Sequence, residues 1–175
     1  TIVAWVKMRS GPGSFERPIL FKGHAERFES PDRHFSFYGN QGLLLYAGGQ
    51  GSWGTSFAAT HEIEANDGHW HCVAASYSVN SQPHVTISLD GQQKTPLDAG
   101  TFMGQDFTLK PDAAGSVLRI GARGNGENLF FNGLMDELQI YDRALQQEDI
   151  AFLWTHPGSN AETRELHVVP PRVWF

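Results

Sequence analysis

Three acidic side chains stand close together in the segment HEIEAND: Glu62, Glu64 and Asp67, at offsets of two and five. Retaining glycoside hydrolysis uses such groups, as a nucleophile and an acid/base about 5 Å apart across a bound sugar. Asp67-Gly68 also reads as a turn ahead of Trp70, and a turn disperses the three carboxylates, so the expectation is a solvated turn and a chain that is not an enzyme. His61, His69 and His71 lie in the same stretch, the last two on one face of a strand. Zinc requires three or four convergent ligands, which this spacing does not supply, so surface or edge histidines are expected. Residues 49–54 form a literal G-x-G-x-x-G, but the following TSFAAT is strand-like, and a phosphate cradle needs a helix there. Gln50 stands where a nucleophile elbow needs its first glycine. What remains is a Gly-rich loop with Trp53 at its tip, its indole either offering a flat apolar face to a sugar or folded down onto the domain. Arg123, Asn125 and Asn128 surround a second loop, GARGNGEN, of the kind that carries binding residues. Asp136 is in phase with Leu134, Leu138 and Ile140 and is expected to face the apolar interior, where a carboxylate needs a cation or donors beside it.

The elements that must position these groups follow from composition and pattern. Of 175 residues 40% are hydrophobic and 18% charged, against a usual charged share of about 25%, which excludes disorder and coiled coil. With 19 Gly, 9 Pro and 12 Phe the chain reads as short strands between many turns. Thirteen basic against nineteen acidic side chains give a net charge of −6, a poor surface for nucleic acid. Apolar runs fall short of the ~18 residues of a membrane span, so membrane insertion is not expected, and the single Cys72 excludes an internal disulfide. Strands are predicted near 18–23, 33–39, 41–48, 55–60, 69–79, 116–123 and 131–142. Another is predicted at HVTISLDG, where Val85, Ile87 and Leu89 alternate with Thr86, Ser88 and Asp90 ahead of an Asp90-Gly91 turn. One amphipathic helix is expected near 146–154 on Leu145, Ile150, Leu153 and Trp154, stopped by Pro157-Gly158. Trp5, Trp70 and Cys72 read as core. Thr1 opens in the middle of an apolar alternation, as expected of a segment of a longer polypeptide.

The order TIVAWVK, ILFKG, WHCVAASY, VTISLDG and FNGLMDELQIYDRALQQEDI resembles the laminin-G-like jelly roll of the concanavalin A-like lectin/glucanase superfamily over nearly all of residues 1–154. Cys72 replaces a usual His, and Gln146 a usual small hydroxyl residue. A further upstream strand common in the family is either outside this segment or replaced by LHVVPPRVWF. The resemblance implies an all-β fold: a two-sheet antiparallel jelly-roll β-sandwich over residues 1–154 with one short C-terminal helix. Residues 155–175 then form a linker plus a closing strand or the start of another module. It also implies a non-catalytic carbohydrate-binding or adhesion module of a larger extracytoplasmic protein, often bacterial and secreted, periplasmic or on the cell surface. Its partners would be a glycan or protein and the neighbouring domains, with Trp53, Arg123 and Asn125 as expected ligand-binding residues. It further implies a structural calcium held by Asp136 and the carbonyl of Gly23; the alternative is an Asp136 that accepts backbone N–H bonds or pairs with an Arg. HEIEAND resembles the catalytic carboxylates of laminarinase-type glucanases, with Glu64 for Asp and Asp67 for Glu. A glucanase and a structural spacer are the competing functions.

Overall fold

The computed structural model describes residues 1–9, 17–23, 33–40, 43–48, 56–60, 65–81, 84–94, 96–97, 117–123 and 128–162. Five strands make one antiparallel sheet: β1 (Ile2–Met8), β6 (His71–Tyr77), β7 (Val85–Leu89), β8 (Gln92–Lys94) and β13 (Gly133–Ile140), in the order β13-β1-β6-β7-β8. Six make the other: β2 (Arg17–Gly23), β3 (Arg33–Asn40), β4 (Leu43–Gly48), β5 (Ser56–Thr60), β9 (Pro96–Leu97) and β10 (Val117–Ile120), in the order β10-β2-β3-β4-β5-β9. A ribbon of β11 (Ala122–Arg123) and β12 (Asn128–Phe130) links β10 to β13, and one helix, α1 (Gln147–Thr155), follows. This is the jelly-roll sandwich that the sequence predicts.

Strand alternation sends one row of side chains from each sheet into a shared core. Ile2, Ala4, Val6, Val73, Ala75, Val85 and Ile87 meet Ile19, Leu20 and Phe37 of the facing sheet, all at most 4% exposed. The opposite row of the five-stranded sheet is buried too where α1 lies over it: Val3, Cys72 and Ala74 pack with Leu145, Ile150, Leu153 and Ala161. Trp5 is only half-buried against this second cluster, and Trp70 is 41% exposed. Trp70 sits one residue before β6 begins, so it escapes the strand's buried rows and is not core.

The helix begins one residue later than predicted. Asp149 is buried and its carboxylate accepts the Gln146 N–H at 3.2 Å, which satisfies the chain at the helix entrance. Residues 156–162 pack on the sandwich: the Ala161 N–H donates to Tyr141 Oη at 2.9 Å, and Gln139 Nε2 donates to the Ser159 carbonyl at 2.8 Å. The closing-strand candidate LHVVPPRVWF and the loop with Phe102 and Phe107 lie outside the described residues. Two glycines are dictated by contact. Gly91 follows Asp90 in a turn with both φ positive (49° and 72°), as a tight hairpin demands, and a Cβ on it would lie 2.9 Å from Trp154 of α1. At Gly133, a Cβ would overlap the Lys7 carbonyl oxygen.

A bulge overturns the expected orientation of Asp136. Val3 pairs with Gln139 and Trp5 with Asp136, so the single Ala4 of β1 faces both Glu137 and Leu138 of β13. Glu137 absorbs the extra residue with φ of 48°. Alternation slips there: Met135 and Leu138 both pack on the core, while Leu134 and Asp136 are exposed.

Candidate functional site

Two constellations among the described residues combine polar groups in a defined geometry. The first is built on His71. Its Nδ1 is 2.8 Å from Asp90 Oδ2 and its Nε2 is 3.1 Å from Asp67 Oδ1, and His69 Nδ1 lies 3.0 Å from Asp67 Oδ2. Asp67 also accepts the His69 backbone N–H at 2.7 Å, and Asp90 Oδ1 accepts the Cys72 N–H at 3.0 Å. The His69 N–H, the His69 ring and the His71 ring hold the Asp67 carboxyl well below the usual carboxylate range. Burial opposes charge on His71, but its bonds to Asp90 and Asp67 outweigh it and raise the imidazole above its ordinary value. Burial, aided by Asp90, pushes the Cys72 thiol up to about 12, so it is an inert core side chain.

This geometry bears on catalysis. A glycosidic proton donor needs a raised pKa, whereas Asp67 is held ionised between two histidines. Its expected catalytic companions Glu62 and Glu64, like His61, lie outside the described residues. No three His, Cys, Asp or Glu among the described residues form a group that can hold a metal ion.

The second constellation is a cleft of 270 Å³ on the outward face of the five-stranded sheet, where the sheet runs out from beneath α1. Ser76 of β6 pairs in register with Thr86 of β7, and Gln93 of β8 with Ser88. The outward row there is therefore hydroxyl and amide, where nearer β1 it is Val3, Cys72 and Ala74. Ser76, Ser78, Ser81, His84, Thr86 and Gln93 form one wall; the 144–147 segment and Ile150 form the other. Gln147 is fixed by donating its Nε2 to the Gly91 carbonyl. His84 Nδ1 is 3.1 Å from the Ser78 carbonyl, so that nitrogen carries the proton. Among the described residues the lining contains no Asp, Glu, Lys or Arg.

Of the residues singled out from sequence, Trp53 and Asn125 lie outside the described residues, and Arg123 is described only as a β11 residue paired with Asn128. Asp136 Oδ1 accepts the N–H of Glu137 at 2.8 Å, the backbone alternative weighed for it. Gly23 ends β2 in the other sheet. The bulge therefore turns the Asp136 carboxylate to solvent rather than inward. The cleft was missed from sequence although its signal is present: the Thr86 and Ser88 alternation marks the outward row, but nothing local says where α1 stops covering it.

The laminin-G-type family model of the concanavalin A-like lectin/glucanases superfamily matches residues 1–151. No curated protein sequence matches the chain. Among solved structures, the CBM40 of Ruminococcus gnavus IT-sialidase bound to α2,3-sialyllactose superposes with a TM-score of 0.64 at 16% identity, covering 87% of this chain and 80% of that one. The receptor-binding domain of botulinum neurotoxin D gives 0.55 at 13% identity, over 88% of this chain and 36% of that one. The LG1-3 region of the laminin α2 chain gives 0.50 at 14%, over 82% and 28%. Identities this low speak to the fold alone. Sheet order, terminal helix and a family match over 151 residues agree, and the chain belongs to the laminin-G-like branch of the concanavalin A-like lectin/glucanases superfamily.

Proposed function

We propose that this domain is a non-catalytic carbohydrate-binding module and that an uncharged sugar docks in the cleft between the β6–β8 outward row and the entrance of α1. The observation that carries the reading is the lining: hydroxyls and primary amides, which both donate and accept, and the His84 ring, beside the aliphatic Leu145 and Ile150, with no Asp, Glu, Lys or Arg among the described lining residues. Sugar hydroxyls are matched by such groups, and a site built to hydrogen-bond them rejects ligands that cannot. A carboxylated sugar would find no guanidinium or ammonium among these residues. The role of CBM40 within a sialidase supports a second element of the proposal, that the module works inside a larger extracytoplasmic protein. The ionised Asp67 supports a role without hydrolysis. Calcium has no part in this reading.

The test is retention of the domain by a panel of insoluble and immobilised neutral polysaccharides, with release of reducing ends followed in parallel. Retention without hydrolysis is expected. Hydrolysis lost in Glu62→Gln would establish a glucanase instead, and failure on every glycan would leave a spacer or a protein-binding module. The last has a specific observation in its favour: among the described residues β10 is an edge strand with Val117, Leu118 and Ile120 all exposed, a surface suited to strand pairing with a partner.

A further inference from the structure

His71 presents each ring nitrogen to a carboxylate from a different part of the chain, Nδ1 to Asp90 at 2.8 Å and Nε2 to Asp67 at 3.1 Å. Carboxylate oxygens only accept, so both contacts together need two N–H donors, and an imidazole has two only when protonated. The neutral ring keeps one donor and turns a lone pair toward the other carboxylate. With its side chain 13% exposed, His71 has little water to relieve that mismatch. Asp67 and His69 face it from the 65–70 turn and Asp90 from the β7–β8 turn. Its register partner on β1 is the uncharged Val6, and the Cys72 thiol beside it stays protonated.

The two anchors are unequal. Asp90 is fastened to β6 twice more, by the Cys72 N–H on its Oδ1 at 3.0 Å and by its own N–H to the Cys72 carbonyl at 2.8 Å. Asp67 stands on an exposed turn, and its other contacts come from His69 of that same turn. When the ring has one proton to share, Nδ1 keeps it for Asp90 and the bond to Asp67 is the one lost.

We propose that Asp67, His71 and Asp90 form a proton-dependent clamp, which ties the 65–70 turn to the β7–β8 turn while His71 is charged and releases it when the ring deprotonates. The turn carries Ala65, fully buried in the inter-sheet core, so release loosens the cover at that end of the sandwich. The sign follows from the two carboxylates. Because the folded imidazole titrates above its ordinary 6.5, the clamp is complete below that value and is lost as pH rises through the folded pKa. Because Asp67 is depressed, its share is present above the ordinary 3.8 and fades as pH falls toward the folded value. The turn is held most firmly in mildly acidic solution.

The experiment is amide hydrogen exchange of residues 66–70 in the intact chain from about pH 5 to 9, corrected for intrinsic exchange, alongside side-chain nitrogen NMR of His71. Protection of the turn should fall about fivefold, the scale of one partly exposed ion pair, in step with His71 deprotonation, while β7 amides stay unchanged. Asp67→Asn, which keeps the side-chain shape and needs no refolding of the core, should abolish the step. An imidazole that titrates at or below 6.5, a turn whose protection does not follow it, or a step that survives in Asp67→Asn would each overturn the clamp.

Discussion

The two faces of the five-stranded sheet are made by the same strands and serve different ends. Inward, Ile2, Ala4, Val6, Val73, Ala75, Val85 and Ile87 of β1, β6 and β7 meet Ile19, Leu20 and Phe37 of the facing sheet. Outward, the row is Val3, Cys72 and Ala74 beneath α1, reaches the buried Ser88 against Gln147 of the helix, and becomes Ser76, Thr86 and Gln93 in the cleft. The inward face and the outward patch beneath α1 therefore decide whether the sandwich forms, and the outward residues that line the cleft are free to vary once the helix is seated. A substitution should read out in stability on one face and in binding on the other.

The strongest break is at Phe37, fully buried between the sheets. Phe37→Ala removes a fully buried aromatic ring from the core and should destabilise by about 3–5 kcal/mol, measured by chemical denaturation. A cost under about 1 kcal/mol would mean that the sheets are not packed as described. The next effect is at the seam between helix and sheet. Gly91→Ala forces a side chain into positive φ and against Trp154 and should cost about 2–3 kcal/mol. The same change at Gly68, which has φ of 84° but open space around it, should cost about 1–2 kcal/mol, the backbone part alone. Equal losses at the two glycines would show that α1 does not rest on the β7–β8 turn.

On the outward face the readout changes. Thr86→Trp fills the cleft from a half-buried position and should move stability by no more than about 1 kcal/mol while abolishing retention by neutral glycan. Smallest of all is Asp136→Asn. The amide oxygen still accepts the Glu137 N–H, so stability should shift by less than about 0.5 kcal/mol, with calcium or without it. A loss of several degrees in Tm seen only when calcium is present would establish Asp136 as a calcium ligand.

The sandwich was legible in the sequence because alternation and turn chemistry are local signals: Val85, Ile87 and Leu89 with Asp90-Gly91 specify a half-buried strand and its turn without reference to the rest of the chain. Asp136 was misread for a physical reason, since phase carries along a strand only until a bulge, and the pattern LMDELQI contains no glycine to mark one at Glu137. His71 and Asp90 each looked ordinary because their pairing spans 19 residues and appears only when β6 and β7 are in register. Trp70 failed as core by one position at a strand start, where boundaries are least determined by composition. The cleft depended on where α1 ends its cover, a tertiary fact with no local signature.

The proposed contact between an uncharged sugar and the outward polar row beside α1 is open to direct observation. Amide chemical-shift mapping of the intact chain, titrated in parallel with neutral and with sialylated oligosaccharides, tests it most directly. Shifts should concentrate at Ser76, Ser78, Thr86, Gln93 and Gln147 with a neutral ligand, and the sialylated series should bind no better than its neutral core. Shifts confined to the loops bearing Trp53 and Asn125, or binding that requires the sialic acid carboxylate, would contradict it.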